Sequence, residues 1–291
     1  MARRGGYTGK RPEGSVCVTR PVFNRVFAAA ASVLILCGSA RHPPFDVFVP
    51  GSNDFTEFSD MAAALNHARA YRPSFIYHRG SGRLLWDNGV TLPASAALEA
   101  PSLLQTPELA RGCEVTSLAM LLLSQGVKTD KLELAGRIKK EPAVYRTKDG
   151  RVFRGNPNKG FVGRMDSFKE AGYGVYHGPI AELLDGYMPG MALDLTGCEF
   201  GDLLYYPALG IPVWVIINTT YAPLPSSAFI TWDTEQGPVR ITYREHSVLL
   251  TGYDETRVYF NDPLAGRNSA GRNAFAAAWE QMGGQAVTVM P

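Results

Sequence analysis

At 291 residues with 45% apolar side chains, the chain can bury a full core, and its length suggests one catalytic domain of average size plus something smaller. The formal charge of +2 is uneven: six of the first 25 residues are basic against a single acid, so the remaining body is net acidic and is excluded as a nucleic-acid binder. No C-x-x-C, no H-E-x-x-H and no clustered His/Asp set at ligand spacing occurs, so no metal or other cofactor is indicated.

In chain order, residues 1–25 form a basic tail carrying Arg3, Arg4, Lys10, Arg11, Arg20 and Arg25. Residues 26–40 follow as an apolar run without charge that ends in Gly38, Ser39 and Ala40. A positive head, a short apolar stretch and small residues predict a secretory leader, and the run falls short of the roughly 20 residues that span a bilayer. The expectation is an exported protein, secreted or anchored to the outer face of the cytoplasmic membrane through its N-terminus. Residues 45–90 are predicted as a small unit: a helix over Thr56 to Ala70, then short strands Ser74 to His78 and Arg83 to Trp86 around Gly80-Ser81-Gly82. Such a unit is too small to stand alone and should pack on the following domain or on a partner. A linker spans 90–100.

The segment Gln105-Thr106-Pro107-Glu108-Leu109-Ala110-Arg111-Gly112-Cys113-Glu114 delivers a cysteine to the first turn of an apolar helix, in which Val115, Leu118, Ala119 and Leu122 recur at helical spacing and Gly126 is the stop. A helix N-terminus favours the thiolate, so Cys113 is a candidate nucleophile; its alternative is a buried, inert cysteine. A second helix is predicted over Thr129 to Lys140, with Leu132, Ala135 and Ile138 on its buried face. The polar stretch Glu141 to Gly160 reads as a long loop, a solvated excursion in the first place and a cleft lining as its alternative. Strands are predicted at Pro212 to Asn218, Ala228 to Trp232, Val239 to Tyr243, His246 to Thr251, Arg257 to Asp262 and Gln285 to Met290, with a helix over Asn273 to Met282. An early helix followed by a late antiparallel sheet is an α+β arrangement. Tyr205, Tyr206, Trp214 and Trp232 read as core.

A thiol nucleophile needs a base, and the chain has five histidines. His42, His67 and His78 suit solvated roles, and His177, before a Gly-Pro turn, is the alternative base. His246 opens a buried strand whose hairpin partner ends at Asp262-Pro263. A turn centred on Asp254 sets His246 directly opposite Asp262, on one face, where a carboxylate could hold the ring in one tautomer. A register one residue different moves Asp262 to the other face, and turn capping is its simpler role. Outside the leader only Cys113 and Cys198 remain, and a disulfide between them is the competing expectation in an exported chain.

The strings Leu104 to Met120, Glu245 to Asp254 and Asn261 to Pro263, in that order, resemble the C39-like cysteine peptidases of bacteria, which are papain-like domains. The likeness covers about residues 98–291. It implies Cys113 as nucleophile, His246 as general base, Asp262 as its orienting acid, Gln105 as an oxyanion-hole donor, and a peptide or protein as substrate. Glu114 matches the pattern without an evident chemical role, and Gln105 has a simpler role in shaping the turn before Pro107. The chain shows no phosphate loop and no set of long membrane spans, so the leader-peptide specificity of transporter-linked relatives does not carry over. Two other classes fit the same residues: an inactive peptide-binding module at the cell surface, and an acyltransferase or amidase.

Overall fold

The computed structural model describes residues 43–52 and 55–291; the basic tail and the predicted leader lie outside the described residues. The first elements are β1 (Phe45–Phe48), β2 (Thr56–Phe58), α1 (Met61–Ala68), β3 (Phe75–His78) and β4 (Arg83–Asp87), with the strands forming a sheet of order β2-β1-β3-β4. The predicted helix over Thr56 to Ala70 is thus shorter. Thr56–Phe58 pairs with β1 instead, and Asp60 caps α1 by accepting from the Ala63 amide at 2.8 Å. Met61, Ala64, Leu65 and Ala68 lie on one stripe of α1 and are buried. They share a core with Ile76, Leu85 and Trp86 and with Leu203, Tyr206, Val215 and Val248 far along the chain.

The next elements are β5 (Ala96–Ala97), α2 (Cys113–Ser124), α3 (Lys131–Arg137), β6 (Lys140–Glu141), β7 (Val144–Arg146), β8 (Val152–Arg154), β9 (Phe161–Val162), α4 (His177–Tyr187), β10 (Ala192–Asp194), α5 (Phe200–Leu203) and α6 (Tyr205–Ala208). Three expectations change here. The stretch read as a linker contributes β5 to the main sheet. In α3, Leu134 and Ile138 are the buried pair, while Leu132 is 51% exposed, because Asp130 caps the helix and the i, i+4 pair faces inward. The stretch 141–160 is no unstructured loop, since β7 and β8 pair as an antiparallel hairpin within it.

The chain closes with β11 (Val213–Asn218), β12 (Ile230–Thr234), β13 (Gly237–Ile241), β14 (Glu245–Tyr253), β15 (Arg257–Asp262), β16 (Gly266–Gly271), α7 (Arg272–Gln281) and β17 (Ala286–Val289). The main sheet runs β10-β17-β11-β14-β15-β16, with β5 also paired to β14. Its two faces feed two cores: Val213, Val215 and Val248 pack toward α1, while Trp214, Ile216 and Leu249 pack toward α2. Among the described residues, no helix is long and apolar enough to cross a membrane.

The β14–β15 register differs from the expected one. Leu249 faces Asn261 and Leu250 faces Phe260, but nearer the turn Gly252 faces Tyr259 and Tyr253 faces Val258. Thr251 is therefore a bulge. Extending the outer register puts Asp262 opposite Val248, so Asp262 is a diagonal, same-face neighbour of His246 and not its direct partner. Without the extra residue, the register at the turn would set Asp262 opposite Leu249, on the wrong face. The bulge sits where β5 crowds the strand: a Cβ on Gly252 would collide with the Ala96 carbonyl oxygen.

Candidate active site

Cys113 is the first residue of α2, and Gly112 before it supplies no side-chain cap. Glycine is needed there for close approach, since a Cβ would stand 2.5 Å from Leu109 Cβ. The segment ahead is tied to the far hairpin: the Gln105 amide donates to the Pro263 carbonyl at 2.8 Å, and the Arg111 amide to that of Met165 at 2.8 Å. Helix and sheet meet directly, with Ser117 Oγ donating to the Ser247 carbonyl at 3.1 Å. Cys113 and Cys198 are both free and buried, and Cys198 lies in the core on the α1 side.

The ring of His246 and the carboxylate of Asp262 are joined by a hydrogen bond, Nε2 to Oδ1 at 2.8 Å, with both side chains buried. Asp262 accepts twice more, from the Leu264 amide at 2.6 Å and from the Tyr221 hydroxyl. Burial alone would raise its pKa; the bond and charge of His246, with the Tyr221 and Leu264 donors, outweigh that and hold it below the ordinary carboxylate range. Tyr221 sits at φ +52°, a conformation rare outside glycine. Its role could not be seen from the sequence, where nothing marks it. The alternative base His177 has its own partner, Asp194 Oδ2 at 2.6 Å, and it opens α4 beside a different cavity.

Cys113, Gln105, His246, Glu245, Tyr173 and Leu264 line one cavity of about 360 Å³. Gln105 is buried; its Nε2 donates to the Ala110 carbonyl at 3.1 Å and its Oε1 has no partner. A neighbouring cavity of about 310 Å³ shares Arg111, Phe168, Gly172 and Tyr243 with the first, so the two adjoin. Ala143 and Arg154, from the stretch read first as a solvated excursion and second as a cleft wall, line this neighbouring cavity, as does Trp232.

The thiol contradicts one expectation. Burial raises its pKa well above the usual thiol value, as do the nearby carboxyls of Glu114 and Glu245; a hydrogen bond from the Ser247 amide acts the other way and loses. The helix N-terminus is therefore overridden, and Cys113 Sγ donates to Glu114 Oε2 at 3.3 Å instead of to the His246 ring. The sequence did flag Glu114 without explaining it. Glu245, one residue from His246, was missed because only the fold brings it to Glu114.

A cysteine opening a helix that packs on an antiparallel sheet bearing a His–carboxylate pair, within a mixed architecture of helices and sheets, defines a protein of the C39-like peptidase fold. The model of the Peptidase_C39 like family matches residues 97–287, and the chain belongs to that family. It is 41% identical over 187 residues to the uncharacterized protein YvpB of Bacillus subtilis (strain 168), covering 64% of this chain and 72% of that protein. The crystal structure of a candidate C39-like peptidase from Bacillus anthracis is similar, with a TM-score of 0.65 at 46% identity over 68% of this chain and 98% of that one.

Proposed function

We propose that the protein is an exported cysteine peptidase of papain-like arrangement, with Cys113 as nucleophile, His246 as general base, Asp262 as the orienting carboxylate and Gln105 as an oxyanion donor. The observation that carries this reading is the His246–Asp262 hydrogen bond at 2.8 Å beside the cavity that Cys113 and Gln105 also line. With Nε2–H committed to Asp262, Nδ1 is the ring nitrogen with a lone pair to offer.

On substrate binding the thiol turns from Glu114 to Nδ1. As Sγ bonds to the peptide carbonyl carbon its proton passes to His246, and the carbonyl oxygen takes the electron pair, met by Gln105 Nε2 and an amide at the start of α2. Collapse expels the amine, which carries off the proton from His246. Water, deprotonated by the same nitrogen, then cleaves the thioester and restores the thiol. The adjoining cavities that share Arg111 and Tyr243 suit an extended peptide.

Incubation of wild type and Cys113→Ala with a peptide library tests the function by product sequencing. Cleavage by wild type alone is the expected result; products joined to an acceptor other than water would replace hydrolysis with acyl transfer, and no product at all would overturn both. An inactive peptide-binding module of the same fold draws on one observation, the thiol held by Glu114. It predicts peptide binding without turnover, undiminished in Cys113→Ala. Export rests on the order of basic tail, apolar run and small residues in 1–40. N-terminal sequencing of the mature protein from the medium or membrane fraction checks it, and a full-length protein confined to the cytoplasm would refute it.

A further inference from the structure

Glu114 and Glu245 meet beside the nucleophile, and among the described residues no cation is bonded to either. Glu114 Oε1 accepts from the Val175 amide at 2.7 Å and Oε2 from the Cys113 thiol at 3.3 Å, while Glu245 Oε1 is buried without a partner. One oxygen of each carboxyl and Cys113 Sγ lie within 4.8 Å of one another. The space is kept open by glycine: a Cβ on Gly174 would collide with Glu114 Oε1 and stand 2.8 Å from Glu245 Oε2. Among the described residues, Tyr173 and Tyr176 ahead of α4, with Arg240 of β13 behind Tyr176, and Lys140 on β6 act on the pair, and His246 on β14 lines the same cavity as Glu245. Lys140 acts only through space, its Nζ donating to the Ala135 carbonyl at 2.6 Å. Two carboxyls this close, Glu114 buried and Glu245 half-buried, oppose each other's ionisation.

We propose that Glu114 and Glu245 are a positioning pair for the nucleophile: they share one proton, and through Glu114 they hold the thiol by its hydrogen until substrate turns it toward His246. The proposal rests on Cys113 being the nucleophile. Burial raises both Glu114 and Glu245 above ordinary carboxylates, and the charge of Glu114 raises Glu245 further, which favours the shared-proton state. Because the surviving negative charge touches sulfur, the resting enzyme keeps its thiol protonated. The pair thereby restrains Cys113 from reacting with stray electrophiles.

Two measurements on the full chain test this, and neither depends on peptide hydrolysis. In wild-type protein labelled with ¹³C at glutamate Cδ, NMR titration should show two resonances moving together above the ordinary carboxylate range, one retaining its acid shift at neutral pH. All glutamates titrating in the ordinary range would overturn the proposal. Iodoacetamide labelling of Cys113, read by peptide mass so that Cys198 does not contribute, gives the second readout. Glu114→Gln should lower the pH midpoint of alkylation by about one unit, roughly tenfold faster labelling at neutral pH. Glu245→Gln should lower it less, because it removes only the second charge that develops as pH rises. Profiles of both folded variants that superimpose on wild type would overturn the pair, since a merely structural role moves stability and not this midpoint. Shifted midpoints without peptide cleavage would instead retain the pair and reject the peptidase.

Discussion

Asp262 shows how much one carboxylate can organise. Its Oδ1 accepts from both His246 Nε2 and the Leu264 amide, and its Oδ2 from Tyr221. Asp262→Ala strands three donors in a buried site and should cost about 1–3 kcal/mol of stability, together with a loss of turnover of about 10²-fold or more. Asp262→Asn can keep Oδ1 for the ring and the Leu264 amide, so its loss should be smaller; denaturant melts and turnover of the two variants check the order, and equal losses would contradict it. Glu245 presents the opposite case. Its folded pKa is raised by burial and then by Glu114, so the stability of the protonated form is present below the ordinary glutamate pKa and is lost as pH rises through the folded value. Glu245→Gln should therefore be more stable than wild type at alkaline pH, by about 1–3 kcal/mol, with the advantage vanishing in acid. Thermal melts across pH read this directly, and a constant difference at every pH would refute it.

Among the elements, β14 and α2 decide the site. Strand parity requires an extra residue for Asp262 to share a face with His246, and Thr251 is that residue. Deleting Thr251 should leave β11, β14 and β17 paired yet break the His–carboxylate bond, seen as loss of the downfield ring N–H proton in NMR. Persistence of that proton would mean that the hairpin re-registers elsewhere. Most of these elements were legible in the sequence. The 3.6-residue period of 115–122 located α2, and the two apolar runs located the hairpin with the correct strands. The turn was misplaced because the expected register ignored β5, whose pairing at Gly252 bends the strand from outside the hairpin. In α3 the expected face held for Ala135 and Ile138 but not for Leu132, since seven residues carry too little periodicity to distinguish Leu132 from Leu134.

At the scale of the whole molecule, the described residues form one compact unit. Met61, Leu65 and Trp86 pack into the same core as Leu203 and Tyr206, the rings of Trp86 and Tyr205 lie 6.5 Å apart, and Arg69 of the first unit pairs with the buried Asp202. Removing residues 43–90 would bare that apolar face and leave Asp202 without its cation. The fragment 91–291, which keeps β5, should therefore lose the cooperative thermal transition of 43–291 and bind hydrophobic dye, whereas an unchanged melt would show that residues 43–90 are dispensable.

Sequence by itself determined what depends on neighbours along the chain: the helix that begins at Cys113, the hairpin bearing His246 and Asp262, the α+β order, and the motifs that resemble a family. Tertiary structure decided most of the electrostatic state of the thiol: burial comes first, and Glu245 and the Ser247 amide reach Cys113 only through the fold, while the adjacent Glu114 is the one local contributor. A helix terminus offers a sulfur at most a modest preference for charge, whereas desolvation and two nearby carboxyls act more strongly in the opposite direction.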